Sequence, residues 1–257
     1  MNSSKELNRA LDILLDISSV LMSSGANTNR ARLSIARFAS VLNFEASCII
    51  SQKAIILTLT DKNTNFNRTK IKSIPPHALN FSTISTISLV SWKATAENWT
   101  IDQIEEEVER IKKQESYNKF LVLIAVSFAG AGFCNIFGGD YLNMLVAFVS
   151  TFIGRYIFVF ISKRRYNVYI RVFIASFIAS IISALGVVFN IGENPQTALA
   201  TSILFLVPGV ALINSFTDMM DNNVLNGMVR FAHGLMTVLV MTLGLFLAML
   251  IFHLKIR

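Results

Sequence analysis

An apolar helix that is interrupted and then followed by polar residues is predicted between Leu204 and Gly234, in the stretch LFLVPGVALINSFTDMMDNNVLNGMVRFAHG. Pro208 removes a backbone N–H donor and Gly209 adds backbone freedom, so a helix passing through this pair should kink or break. In a membrane such a break is tolerated where the freed carbonyl groups face protein or a water-filled cavity, and transport sites are commonly built in this way. The alternative interpretation is an ordinary kinked helix followed by a polar loop.

Polar residues follow this break at helical spacing. Asn214 and Asp218 are four residues apart, which places them one turn apart on the same face of a helix. A carboxylate near the membrane is costly unless it has a partner or water, so Asp218 is the best candidate for proton coupling or for binding a substrate ammonium group. Asp221 follows in the same polar patch. The alternative is that Asp218 and Asp221 simply cap helices in a cytoplasmic loop.

Basic residues of the same half could bind the carboxylate of a substrate. Arg155, Arg171 and Arg230 are candidates, because a guanidinium group binds a carboxylate through two parallel hydrogen bonds. The alternative, which we favour for Arg171, is that these arginines only anchor the topology of the membrane helices. His233 lies at a predicted helix start and is interpreted as structural, although histidine titrates near neutral pH.

The composition separates the chain into two halves. Of 257 residues, 53% are apolar and 15% are charged, and the mean hydropathy is +0.54, which is far from an ordinary soluble domain. Residues 1–118 contain 14 Lys and Arg with 12 Asp and Glu, whereas residues 119–257 contain 9 and 4. Because basic residues cluster at the ends of apolar runs, the net charge of +7 indicates cytoplasmic anchoring at a lipid bilayer and not nucleic-acid binding.

No export signal, disulfide or metal site is predicted. The first apolar run contains Asp12 and Asp16, which suit an amphipathic helix and not the uncharged core of a signal peptide. Cys48 lies in the polar half and Cys134 in a hydrophobic run, so neither a disulfide nor a metal site is indicated. We therefore expect no cofactor.

The pattern of residues 1–118 predicts a small α+β cytoplasmic domain. Helical and strand periodicities alternate, and Thr100 with Gln103 predicts a capping box at the start of the last helix. Paired catalytic carboxylates, metal-ligand clusters and phosphate-binding glycine loops are not apparent in this half. The predicted elements are helices Ser4–Ser24, Thr28–Leu42, His77–Val90 and Ile101–Lys113, and strands Ala46–Ser51, Ala54–Thr60 and Thr69–Ile74.

Residues 119–257 predict a transmembrane domain of five helices, since a spanning helix needs about 20 largely apolar residues. The whole chain is therefore predicted to be an α-helical multi-pass membrane protein. Small residues recur every four positions in the first and third spans and predict close helix contacts. The five predicted spans are Lys119–Gly138, Tyr141–Ser162, Val168–Asn190, Thr197–Thr217 and His233–Leu254.

The basic residues predict the orientation of these spans. Lys163, Arg164 and Arg165 lie between the second and third spans, and the loop with Arg230 falls on the same side. That side should be cytoplasmic together with the N-terminus. An odd number of spans then places the C-terminus in the periplasm.

Two motifs resemble the threonine/serine exporter family. One is SSGANTNRARLSIARFASVLNF, where Gly25, Thr28 and Arg30 stand in a small-Gly-x-x-Thr-x-Arg pattern; the other is the Pro-Gly, Asp and Gly-x-x-Arg series of the broken helix. The resemblance covers nearly the whole chain, and it departs from the family pattern at Asn27 and Arg32, where acidic residues are common.

The chain resembles the larger subunit of the split, two-component form of that family, whose members include succinate-type exporters. The resemblance implies a bacterial inner-membrane protein that works with a separately encoded small membrane subunit in an oligomer.

The predicted function is secondary export of a small amino acid or carboxylic acid. The candidate pathway consists of the helix break, the polar patch that follows it and two arginines. The alternatives are a membrane-anchored signalling or enzymatic domain, and a passive channel or structural subunit. The candidate pathway residues are Pro208, Gly209, Asn214, Asp218, Asp221, Arg230 and Arg155.

Overall fold

The computed structural model describes residues 2–76, 79–113, 117–164 and 166–254, so that His77 and Arg165 lie outside it. The described chain is mostly helical, with a small sheet near the N-terminus. In chain order the elements are α1 (Asn2–Ser23), α2 (Thr28–Val41), β1 (Phe44–Ile50), β2 (Ala54–Asp61), β3 (Asn67–Ser73), α3 (Phe81–Glu97), α4 (Ile101–Lys113), α5 (Lys119–Ile136), α6 (Tyr141–Ser162), α7 (Val168–Val188), α8 (Pro195–Thr201), a 3-10 turn (Leu204–Leu206), α9 (Gly209–Met220) and α10 (Val224–Ile251).

The chain divides into two compact units. The first joins Met1–Glu115 to Val210–Phe231, and the second joins Ser116–Gly209 to Ala232–Arg257. The segment after the helix break, which the sequence assigned to the transmembrane domain, therefore forms part of the same compact unit as the N-terminal half. The two units are called the N-terminal unit and the membrane unit below.

The sheet of the N-terminal unit is an antiparallel meander in the order β1-β2-β3. The three predicted strands are confirmed, and the first two form a hairpin through Gln52 and Lys53. Side chains of β2 alternate between the core and the outer face, and Ile55, Leu57 and Leu59 are fully buried. This alternation is what a sheet covered on one face requires, and helix α1 supplies much of that core.

Helix starts in this unit follow from local capping. The Thr100 N–H donates to Gln103 Oε1 at 2.8 Å and the Gln103 N–H donates to Thr100 Oγ1 at 3.4 Å, which confirms the predicted capping box. The predicted start of the preceding helix at His77 lies outside the described residues. The described helix begins at Phe81, because the Asn80 side chain accepts the Thr83 N–H and fixes the N-cap there.

Charged side chains fasten α1 to two other elements. Asp16 accepts hydrogen bonds from Lys72 of β3 and from Lys112 of α4. Burial by itself raises the pKa of Asp16, but the hydrogen bonds from Lys112 and Lys72 outweigh it and lower that pKa below its usual range. The carboxylate is therefore the favoured form in the folded state.

In the part of the chain that the structure describes, four helices are long and apolar enough to cross a membrane, namely α5, α6, α7 and α10. A fifth span results only if the bent pair Pro195–Leu206 and Gly209–Met220 counts as one. Five spans thus remain a prediction.

The predicted break at Pro208 and Gly209 is confirmed: the predicted span Thr197–Thr217 consists of two parts, Pro195–Leu206 and Gly209–Met220, that are bent by 58°. The chain leaves helical conformation at Val207, whose φ of −59° and ψ of 123° are the extended values favoured before proline. Pro208 also lacks the N–H that would continue the ladder. The prediction that the last helix starts at His233 is wrong, because α10 begins at Val224 and contains Arg230.

Small residues bring the helices of the membrane unit close together. A Cβ atom added at Gly154 of α6 would lie 2.9 Å from Ala179 Cβ and 3.2 Å from the Ala175 carbonyl oxygen of α7. Ala175, Ala179 and Ser183 are fully buried, which confirms the prediction of a small-residue contact face.

Candidate functional site

The connection between α1 and α2 presents backbone groups to the interior of the N-terminal unit. Gly25 has a φ of +94°, a conformation that favours glycine, and a Cβ atom there would lie 2.5 Å from Leu79 Cδ2. Asn27 caps α2 by accepting the Arg30 N–H at 2.8 Å. The first N–H of α2, that of Thr28, remains for another acceptor.

Asp218 of α9 supplies that acceptor. Its Oδ1 accepts the Thr28 N–H at 2.8 Å, and its Oδ2 accepts the Thr28 hydroxyl at 3.1 Å. Asp218 is fully buried. A carboxylate at the N-terminus of a helix is stabilised by the free N–H groups and by the helix dipole. Asp218 therefore interacts with the N-terminus of α2 and does not cap α9, the helix to which it belongs.

Arg230 of α10 compensates the charge of Asp218. Its Nε lies 3.0 Å from Asp218 Oδ2, and its Nη2 donates to the Ala26 carbonyl at 2.9 Å. The Nε contact is an ion pair without hydrogen-bond geometry, because this buried nitrogen has no hydrogen-bond partner. Arg230 is 7% exposed. Removing one member of such a buried pair leaves an uncompensated charge, which is strongly destabilising.

Two asparagines complete the contacts with the connection. The Asn226 amide donates to Thr28 Oγ1 at 3.1 Å and to the Ile50 carbonyl at 2.7 Å. The Asn214 amide donates to the Gly25 carbonyl at 2.8 Å. We refer to the side chains of Thr28, Asp218, Asn226 and Arg230 as the Asp218 cluster.

Asn226 is the member that the sequence analysis missed. It lies one turn before Arg230 on the same helix and is 9% exposed. An asparagine four residues before an arginine, within a helix that is otherwise apolar, is a sequence signal that could have identified Asn226.

Gly227 sets the distance between α9 and α10. A Cβ atom at this position would lie 2.7 Å from the Ser215 carbonyl oxygen and 3.0 Å from the Met219 nitrogen, so only glycine allows the two backbones to approach this closely. Gly227 and Arg230 form the Gly-x-x-Arg motif of the sequence. The glycine therefore permits the approach that brings Arg230 to Asp218.

Other predicted site residues are not members of the Asp218 cluster. Arg30 is exposed and lines an open pocket of about 350 Å³ with Arg37 and Trp92. Asp221 is half-buried in the turn after α9. Arg155 lies on α6 in the membrane unit.

Pro208 and Gly209, the two residues of the helix break, have different structural roles. Pro208 follows the extended Val207 and ends the 3-10 turn. Gly209 is the first residue of α9, and a Cβ atom there would meet nothing within 4 Å. The local backbone conformation thus explains the proline at Pro208, whereas no close contact requires a glycine at Gly209.

Titratable groups elsewhere form no candidate cofactor site. His233 lies within α10, and its Nδ1 is 2.6 Å from the Tyr169 hydroxyl. Burial raises the pKa of the Cys48 thiol. Among the described residues, no three His, Cys, Asp or Glu side chains lie where they could hold a metal ion together.

The sequence is similar to transporter proteins. The profile of the family described as "Putative threonine/serine exporter" matches residues 12–252. A protein of Klebsiella aerogenes named "Probable succinate transporter subunit YjjP" is 26% identical over 207 residues, which are 80% of this chain and 79% of that protein. The protein of the same name from Escherichia coli K12 is 28% identical over 140 residues, which are 54% of this chain and 55% of that protein.

No solved structure matches the chain. The family match covers the Gly25–Thr28 connection, the helix break and every residue of the Asp218 cluster. Members of this family are transporters and not enzymes. The chain belongs to the threonine/serine exporter family.

Proposed function

We propose that this protein exports a small amino acid or carboxylic acid, of the threonine/serine or succinate type, across the bacterial inner membrane by secondary active transport. The observation that carries the proposal is the buried ion pair of Asp218 and Arg230, ten residues and more after a proline break in an apolar segment. Ionisable residues within membrane-spanning segments usually belong to ion or substrate pathways, and Asp218 lies in α9, the second part of the bent pair that would form the fourth span.

Asp218 is the proposed proton-coupling group. Its charge holds the Thr28 N–H and the Arg230 guanidinium at the same time. Protonation removes that charge, so Arg230 loses its counter-ion and Thr28 keeps at most a weaker hydrogen bond. The cluster therefore has two states that differ by one proton, and a change between them alters how α9 and α10 hold the Gly25–Thr28 connection.

The proposed topology places the N-terminus in the cytoplasm and the C-terminus in the periplasm. It is supported by Lys163 and Arg164 after α6, opposite the end where Asp140 begins that helix. We also propose that the protein works in an oligomer with a separately encoded small membrane subunit, because the relative from Klebsiella aerogenes is named as a transporter subunit.

The test is efflux from cells or proteoliposomes that contain the protein together with the proposed small membrane subunit. Threonine, serine and succinate are loaded separately, and Asp218→Asn is compared at equal membrane level with Glu106→Gln, which changes an exposed acidic residue. We expect Asp218→Asn to lose most efflux, because Asn cannot titrate, and Glu106→Gln to retain it. Undiminished efflux by Asp218→Asn would remove Asp218 from the mechanism.

The same assay separates an active exporter from a passive channel. An imposed pH gradient drives a proton-coupled exporter to move substrate against its concentration gradient, and an uncoupler abolishes that movement. Efflux that follows only the substrate gradient, with or without the uncoupler, would identify a channel. Omitting the small membrane protein shows whether it is required.

A further inference from the structure

Two arginines of the membrane unit lie near the same aromatic ring. Arg155 is on α6 and Arg171 is in the first turn of α7. The Cζ atom of each guanidinium is 5.6 Å from the centroid of the Phe158 ring. The two Cζ atoms are therefore separated by no more than twice 5.6 Å, and a small molecule beside Phe158 can reach both.

In the part of the chain that the structure describes, these two positive charges have no anionic partner. Asp140 and Glu193 are the only acidic side chains in the sequence of the membrane unit. Asp140 caps the beginning of α6, about 22 Å along the helix from Arg155 at 1.5 Å per residue. Glu193 follows the end of α7, whose beginning carries Arg171. Within the described residues, neither arginine forms an ion pair.

One donor of the pair also lacks a partner. Arg171 Nε is buried and forms no hydrogen bond with the described residues. Buried donors normally find acceptors, so this interior is suited to a polar ligand that brings its own oxygen atoms.

The pair stands next to the helix break. Beside Arg155, a Cβ atom at Gly154 would lie 3.0 Å from Phe205 Cζ in the 3-10 turn. Phe158 packs against the buried apolar cluster that contains Val172 and Leu206. A ligand between the arginines would therefore lie beside the turn that ends at Pro208.

We infer that Arg155 and Arg171 bind carboxylate groups of the transported acid. The inference rests on the proposed function and assigns the substrate site to a place distinct from the Asp218 cluster. Guanidinium groups bind carboxylates through paired, charge-assisted hydrogen bonds. A substrate with two carboxylates can engage both arginines, whereas one with a single carboxylate neutralises only one charge.

The experiment combines transport and direct binding. Succinate, succinamate and succinamide carry two, one and no carboxylates, and threonine amide is compared with threonine. Reconstituted wild-type protein should prefer the more anionic ligand of each set. Arg155→Lys and Arg171→Lys should each raise the KM for succinate about tenfold or more and leave kcat little changed, since lysine keeps the charge but loses the bidentate geometry.

The substitutions by lysine also distinguish a role in substrate binding from a role in membrane topology. A topology anchor needs only a positive charge, so Lys variants with wild-type KM would overturn the inference. Lys163→Gln, an exposed basic residue at the end of α6, is the matched control and should leave KM unchanged.

A direct binding measurement distinguishes failure of the proposed export function from failure of the proposed arginine site. Succinate-dependent thermal stabilisation of the purified protein should be weaker in both Lys variants. If wild-type protein exports none of the acids, the proposed function fails, and this binding comparison still decides the inference. Equal stabilisation of wild-type and variant proteins would overturn the arginine site even where export is intact.

Discussion

At the scale of single residues, Asp218 is held by three kinds of partner. It accepts from a backbone N–H and a hydroxyl of Thr28, and it is paired with the guanidinium of Arg230. These contacts compensate the charge of a fully buried carboxylate. Such a group is sensitive to the loss of any one partner.

Removing Arg230 alone should destabilise the protein more than removing Arg230 and Asp218 together. Arg230→Gln leaves the buried carboxylate uncompensated, and we expect it to lower the free energy of unfolding by about 3–5 kcal/mol. The double variant Asp218→Asn with Arg230→Gln should recover part of that loss. Chemical unfolding in detergent micelles measures both, with the exposed Arg32→Gln as control. Strictly additive losses in the double variant would contradict a coupled pair.

The sequence predicted the candidates of this cluster but not their pairing. Asp218, Arg230 and Thr28 were each identified from residue type and motif. Thr28 and Asp218 are 190 residues apart in the chain, so their contact depends on tertiary packing that no local pattern records. Asn226 was missed because a single amide within an apolar run looks like an ordinary polar interruption.

At the scale of elements, the most regular patterns were predicted best. Helix α6 has the predicted ends, because the Asp140 capping box and the basic residues after Ser162 mark both of them. The fourth predicted span contains the break that Pro208 predicts, and its two parts are bent by 58°. The separate 3-10 turn before Pro208 was not predicted, because hydropathy averages over the break.

The break gives a prediction for the two residues that form it. Pro208→Ala restores the missing N–H and allows helix to continue through Val207, so we expect reduced export at unchanged membrane level. Gly209→Ala should retain export, because a Cβ atom there meets nothing within 4 Å. Efflux assays on the reconstituted protein compare the two. Full export by Pro208→Ala would show that the break has no part in transport.

At the scale of the whole molecule, the segment that follows the break folds with the N-terminal half. Val210–Phe231 and Met1–Glu115 form one compact unit, and the Asp218 cluster lies wholly within it. The sequence predicted a simple boundary near residue 118, because composition changes there. A boundary drawn from composition cannot detect a later segment that returns to the first unit.

The number of spans determines the location of the C-terminus. Five spans place it in the periplasm when the N-terminus is cytoplasmic, and four place both ends on one side. We expect alkaline phosphatase fused after Arg257 to be active and a fluorescent protein fused there to be dark. The opposite pair of signals would show that the bent helices do not form a span.

The connection around Gly25 is recognised mainly through its main chain. Asn214, Asn226 and Arg230 donate to the carbonyl oxygens of Gly25, Ile50 and Ala26. We therefore expect substitutions at Ala26 and Ile50 to be tolerated where the backbone conformation is kept. The residues whose side chains donate should tolerate fewer substitutions. Relatives should diverge at Ala26 and Ile50 and retain the donors and Gly25, whose positive φ favours glycine. The interaction can therefore persist between proteins whose sequences differ at those two accepting positions.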